Sequence, residues 1–232
     1  MRVVVPPTTH PPGRLRISAT SGRVTVVAES RADVVVDRGG VAEAAADGAV
    51  EIRAGRSSSV EVRCPTGADV IVGTRSGRVE LRGRFGALGV TSQSGSIRAG
   101  AAATADLRTV AGSVELERCD GLCRVSTTSG RITVGAAGDA EISTVSGSVN
   151  VEDASGTVQV RSVSGKVGIV SAARGAVRVG AVSGSITISL PEGVRPMMRF
   201  SGRGKVRSSF EPGDDVLVDV SIVSGSVRLV PA

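Results

Sequence analysis

The sequence predicts an all-β chain wound as a β-solenoid (parallel β-helix), with repeats of 17–19 residues, two strands per repeat and irregular β caps at both ends. Three observations carry that prediction. A unit of the form T-x-S-G-x-V recurs, clearest at Thr144-Val145-Ser146-Gly147-Ser148-Val149-Asn150-Val151. Its glycines are Gly77, Gly95, Gly112, Gly130, Gly147, Gly165 and Gly184, separated by 18, 17, 18, 17, 18 and 19 residues. Two residues after each comes a β-branched residue: Val79, Ile97, Val114, Ile132, Val149, Val167 and Ile186.

Each repeat position has a physical reading. Leu81, Ala99, Leu116, Val134, Val151, Ile169 and Ile188 lie two residues beyond the β-branched position, on the same side of a strand. Between them Glu80, Arg98, Glu115, Thr133, Asn150, Gly168 and Thr187 suit a face turned to water. The parity of apolar positions slips at the glycine, as expected of a corner with an extra residue or a positive φ. Small residues three before the glycine, such as Thr74, Ser92 and Thr144, fit a tight corner, and the serine just before it can bond the local backbone. A weaker second corner falls at Gly86, Gly121, Gly138, Gly156 and Gly175. So short a unit cannot bury its own apolar face, so successive units are expected to stack at about 4.8 Å per turn.

In chain order, residues 1–65 read as an amino-terminal β cap, residues 66–190 as the regular solenoid and residues 191–232 as a carboxyl-terminal cap, together a single domain. In the first cap, strands are expected around Leu15–Ile17, Val24–Val27, Val34–Val36, Val50–Ile52 and Val60–Val62, with an early repeat copy at Gly22. Alanine-rich Ala42–Ala49 reads as a loop between strands. After Leu190 the pattern breaks at Pro191, returns imperfectly around Ser201-Gly202, Glu211–Asp215 is a turn-rich loop, and a complete last copy runs from Val223 to Leu229, so the sheet is expected to close at the extreme carboxyl terminus. An antiparallel sandwich or barrel is the competing reading, but it does not require the same side chain at every second strand. No six-residue period is present, and handedness stays open.

Composition agrees with thin, regular turns. There are three Phe, no Trp, no Tyr and 31 Gly, where a conventional core of this size would hold more aromatics. The net charge of +6 comes almost wholly from arginine, with lysine only at Lys166 and Lys205. Acids and bases are interspersed and base-stacking aromatics are scarce, which argues against nucleic acid. The sequence shows no signal peptide and no apolar run long enough to span a bilayer, so a cytoplasmic location is expected. The odd count of three cysteines suits a reducing compartment.

The repeated T-x-S-G-x-V unit, Val62-Arg63-Cys64-Pro65-Thr66-Gly67-Ala68 and the terminal Val223-Ser224-Gly225-Ser226-Val227 together resemble a family of bacterial β-strand-repeat, adhesin-like proteins whose domain has no known function. The resemblance covers most of the chain. It implies a β-helical fold and a non-enzymatic surface or envelope role, with no catalytic residues to carry over.

The residues offer little chemistry. His10 is the sole histidine, so histidine-based catalytic triads and histidine metal sites are excluded. Cys119 and Cys123 flank Asp120-Gly121-Leu122 but lack further ligands, and are read with Cys64 as small apolar residues. No phosphate-binding glycine loop is present. Asp69 and Asp139 share a repeat position, eight before the glycine, but the intervening copies carry no acid, so paired carboxylates have no support. The alternating Glu80, Arg98 and Glu115 are read as cross-strand pairs. Catalytic, cofactor-binding and metal sites are therefore expected to be none, and no cofactor is implied.

One segment concentrates basic and apolar residues where the repeat is weakest. Arg195, Met197, Met198, Arg199, Phe200, Arg203, Lys205 and Arg207 form a candidate partner-binding surface, or else a cap that packs Met and Phe over the last turns. The sequence reading is a non-enzymatic, adhesin-like binding module that presents a surface to a macromolecule, a protein or an envelope component, as a monomer or small homo-oligomer. A self-assembling cytoplasmic scaffold is the alternative, and a carbohydrate-active β-helix enzyme the third.

Overall fold

The computed structural model describes residues 3–5, 13–45, 48–55, 58–172 and 175–232; His10 lies outside them. Among the described residues there is no helix, and the fold is a β-solenoid in which successive turns, or rungs, pair in parallel. The chain divides into two compact units, Met1–Glu117 and Arg118–Ala232.

In the first unit the amino-terminal strands are β1 (Val3–Val5), β2 (Arg14–Ala19), β3 (Arg23–Glu29), β4 (Val34–Arg38), β5 (Val41–Ala44), β6 (Val50–Arg53) and β7 (Val60–Pro65). The regular repeats follow in β8 (Asp69–Ser76), β9 (Arg78–Ser94) and β10 (Ile97–Ala111), and β11 (Val114–Ala154) begins here. The rungs are not stacked in chain order. β2 pairs with both β6 and β8, and β3 with both β7 and β9, so the rung nearest the amino terminus is inserted between two later ones. The outermost parallel rung, β6 and β7, is covered by antiparallel β5 and β4, and β1 adds to β4. Ala42–Ala44, expected in a loop, is therefore strand, because it covers the edge of β6.

Interior columns follow from this register. Val60, Val24, Val79 and Ile97 stack in one column, and Ile52, Ile17, Val72, Val90 and Leu107 in another, all buried. Each such side chain stabilises the fold by about 1.5–3 kcal/mol relative to exposure.

The second unit holds the rest of β11, then β12 (Val158–Ser171), β13 (Val177–Leu190), β14 (Pro196–Gly202), β15 (Lys205–Ser208) and β16 (Val216–Pro231). Ile142, Val160, Val179 and Val220 form one column, and Val149, Val167, Ile186 and Val227 the next. Here too chain order and rung order part. β16 pairs with β13 on one side and with β14 and β15 on the other, so the terminal strand is one rung in from the edge. The expected closure at the extreme carboxyl terminus is thus replaced by an end rung made of β14 and β15.

The corners explain the glycines. Gly147, Gly165, Gly184 and Gly225 are in register, with φ between 130° and 146°, and a Cβ on any of the last three would overlap the carbonyl oxygen of the corner glycine beneath. Strand pairing continues through these corners, which is why β11 runs unbroken for 41 residues. At three corners the tying hydroxyl is not that of the preceding serine, although Ser183, before Gly184, does donate to the Val163 carbonyl at 3.5 Å. Buried Thr74, Thr127 and Thr144 donate to the carbonyls of Ser76, Ser129 and Ser146 at 3.2, 3.1 and 3.4 Å, while the Ser76, Ser129 and Ser146 side chains stay outside the core.

Candidate functional site

The predicted basic segment folds as the end rung of the second unit. Hydrogen bonds with the Glu211–Asp215 loop hold its start: the Arg195 N–H donates to the Asp215 carboxylate Oδ2 at 2.8 Å, the Asp215 N–H to the Arg195 carbonyl at 3.0 Å, and the Gly213 N–H to the Pro196 carbonyl at 3.1 Å. From there β14 runs parallel to β16 with Pro196 over Val216, Met198 over Val218 and Phe200 over Val220. After a corner one residue shorter than the one beneath, β15 places Val206 over Val227.

Among the described residues no strand pairs with the outer edge of this rung. Phe200 is 37% exposed above a Val220 that is 0% exposed, and Val206 is 40% exposed above a Val227 that is 0% exposed. The interior apolar columns are therefore open at this end. Met197 projects to the other side of β14 and is also exposed. Arg195, Arg199, Arg203, Lys205 and Arg207 are all exposed, and among the described residues none forms an ion pair. Arg199 is in register with Asp219 without reaching it, and Arg207 with Arg228, a like charge directly opposite. Some arginines elsewhere find carboxylates, Arg98 with Glu115 at 2.9 Å, Arg124 with Glu141 at 2.8 Å and Arg108 with Asp106 at 2.7 Å, while others such as Arg161 and Arg178 find none among the described residues.

The other candidates resolve into structure. Asp69 and Asp139 do the same task, accepting the main-chain N–H of Ala87 at 2.9 Å and of Thr157 at 2.7 Å. Gly86 and Gly156 face them because a Cβ there would press on each carboxylate. Cys64, Cys119 and Cys123 are buried free thiols. Desolvation pushes the Cys64 thiol up to about 12, and a thiol hydrogen bond with Cys119, then burial, raises that of Cys123, so neither is a nucleophile near neutral pH. Among the described residues no group of three or more His, Cys, Asp or Glu could hold a metal ion.

Two features were not singled out from the sequence. A crevice of about 210 Å³ sits where the register shifts after Ala99, lined by Glu80, Arg82, Arg98, Glu115 and Glu117 among others. Its charges are largely paired: Glu80 takes Arg82 at 3.0 Å along its own strand, so the expected Glu80–Arg98–Glu115 ladder holds only in its Arg98–Glu115 half. The second feature is an exposed column of Val145, Val163, Val182 and Val223, two residues before successive corner glycines. That spacing was its signal.

The model of the Toastrack DUF4097 family matches residues 15–210, most of the chain. The chain belongs to that family. This bears out the resemblance carried by the T-x-S-G-x-V unit. Among solved structures the Toastrack chain is similar to that of a candidate adhesin from Bacteroides fragilis, at 10% identity and a TM-score of 0.48, covering 99% of this chain and 96% of that one. It is also similar to a candidate cell adhesion protein from Clostridium sporogenes, at 10% identity and a TM-score of 0.25, covering 100% of this chain and 98% of that one. No curated protein matches it. Among the described residues of this Toastrack chain no helix is long and apolar enough to cross a membrane.

Proposed function

We propose that this Toastrack chain is a non-enzymatic binding module whose solenoid holds the end rung of β14 and β15 toward a macromolecular partner. One observation carries the reading. Five cations, none of them ion-paired among the described residues, are concentrated on Arg195–Arg207, and the same rung leaves the apolar columns uncovered. Charge that is unpaired beside exposed Met and Phe is what an interface keeps and a solvated cap does not need.

The test compares the wild-type chain with a variant carrying Arg199→Glu, Arg203→Glu, Lys205→Glu and Arg207→Glu. Both are immobilised and offered anionic polypeptide, anionic polysaccharide and anionic vesicles at low and physiological salt. At least one probe is expected to bind the wild type with strong salt dependence and to lose about tenfold or more on the variant, with the melting temperature unchanged. Equal binding to both chains, or to neither, overturns the assignment.

A further inference from the structure

We propose that the open edge of β14 and β15 accepts an extended acidic polypeptide strand, with apolar and acidic side chains alternating, as one more rung of the sheet. The proposal rests on the binding-module reading and names the partner that its site would take.

The first ground is the main chain. Among the described residues β14 ends the strand order and β15 pairs with β16 alone. In a parallel ladder alternate residues direct their N–H and C=O groups to opposite sides, so from Met197 onward about half of these groups face away from β16 with no strand to receive them. The amino-terminal unit treats its own outermost parallel rung differently, since β4 and β5 cover β7 and β6. Among the described residues the chain supplies no such cover for β14 and β15.

The second ground is what the next rung would have to carry. Apolar residues at alternate positions would seal the columns that now end in Met198, Phe200 and Val206. Acidic residues at the positions between would face Arg199 and Arg207, relieve the Arg207–Arg228 juxtaposition, and repeat the pairing seen at Arg98 and Glu115. A second copy presenting this same end would set like charges against one another. A lipid headgroup or a nucleic acid meets the charge but brings neither the row of amides nor the alternating apolar side chains.

The fold already adds strands without regard to chain order. β16 lies between β13 and β14 although β14 and β15 precede it in sequence. A strand from another polypeptide would repeat at the outer edge what β16 does one rung in.

The experiment titrates the full chain into a fluorescent peptide of alternating Glu and Val. Parallel arms use the same peptide with alternate amides N-methylated along one edge, polyglutamate, phosphatidylserine vesicles and a single-stranded oligonucleotide. Anisotropy reads binding, hydrogen exchange reads the amides of 197–208, and light scattering reads self-association. The Glu-Val peptide is expected to bind and to slow exchange in 197–208, and N-methylation to weaken binding about tenfold or more. Arg199→Glu with Arg207→Glu is expected to weaken it similarly at an unchanged melting temperature. Equal binding of the N-methylated peptide or of polyglutamate overturns strand addition but leaves a cationic docking surface. Preference for vesicles or oligonucleotide assigns the surface to another class and overturns the peptide. Dimerisation that protects 197–208 makes a second copy the occupant and overturns it too. Binding of no probe at all removes the binding-module reading as well.

Discussion

Val145 and Val149 stand four residues apart in one repeat, yet one is 48% exposed and the other 2%. An aspartate at Val149, or at Ile132, puts an unpaired charge into an apolar column and is expected to cost several kcal/mol, enough to unfold much of the chain at room temperature. Val145→Asp is expected to stay within about 0.5 kcal/mol of wild type. Chemical denaturation of the three variants checks the facing, and equal losses would contradict it.

Corner glycines make a second contrast at this scale. Gly147 has φ of 146° and no room for a Cβ against Gly130, whereas Gly180 has open space around it and no positive φ. Gly147→Ala is expected to destabilise by about 2 kcal/mol or more, and Gly180→Ala to be neutral or stabilising by up to about 1 kcal/mol. The buried thiols add a pH dependence whose sign follows from their protonation. Cys64 ionises at about 12 when folded against 9.0 ordinarily, so its contribution is intact below pH 9.0 and is lost as pH rises toward 12. Denaturation curves between those limits should fall by about 1.4 kcal/mol per pH unit more steeply for wild type than for Cys64→Ala. A common slope would show that the thiol is not held protonated by the fold.

At the scale of elements, the insertion of β16 makes the carboxyl-terminal strands dependent on one another. β14 and β15 pair with β16 and with no other strand among the described residues, so removing residues 216–232 takes away their strand partner. That truncation is expected to leave 196–208 unprotected in hydrogen exchange and to lower the melting temperature as much as removal of 191–232. If 196–208 stayed protected after the shorter truncation, β14 and β15 would have a partner other than β16.

The strand sequences were largely legible, because the alternation of Val and Ile with polar residues is a local signal and every expected strand from Leu15 to Val62 formed. Which hydroxyl ties each corner was not. Threonine and serine are both able donors, and only the main-chain path brings the Thr144 hydroxyl, rather than that of Ser146, onto a carbonyl. The candidate rung was visible as an interruption of the repeat, but its place at the edge depended on where β16 went.

For the whole molecule, open strand edges invite self-association, and charge decides how far it goes. The cationic end rung should keep like ends apart at low salt, so light scattering is expected to give a monomer or small oligomer over a wide concentration range. Filaments visible in low-salt buffer would favour the scaffold reading over the binding module.

By itself the sequence determined the repeat, its glycine corners, the parity of its buried positions and the family, because each is written within a window of about 18 residues in which side-chain period and turn chemistry act locally. Only the tertiary structure decided the order of the rungs. Val24 lies between Val60 and Val79, and Val227 between Ile186 and Val206, and similar repeat units can neighbour one another in more than one order. Contacts across the stack make that choice, burying Val227 fully and leaving Val206 and its arginines at the open edge.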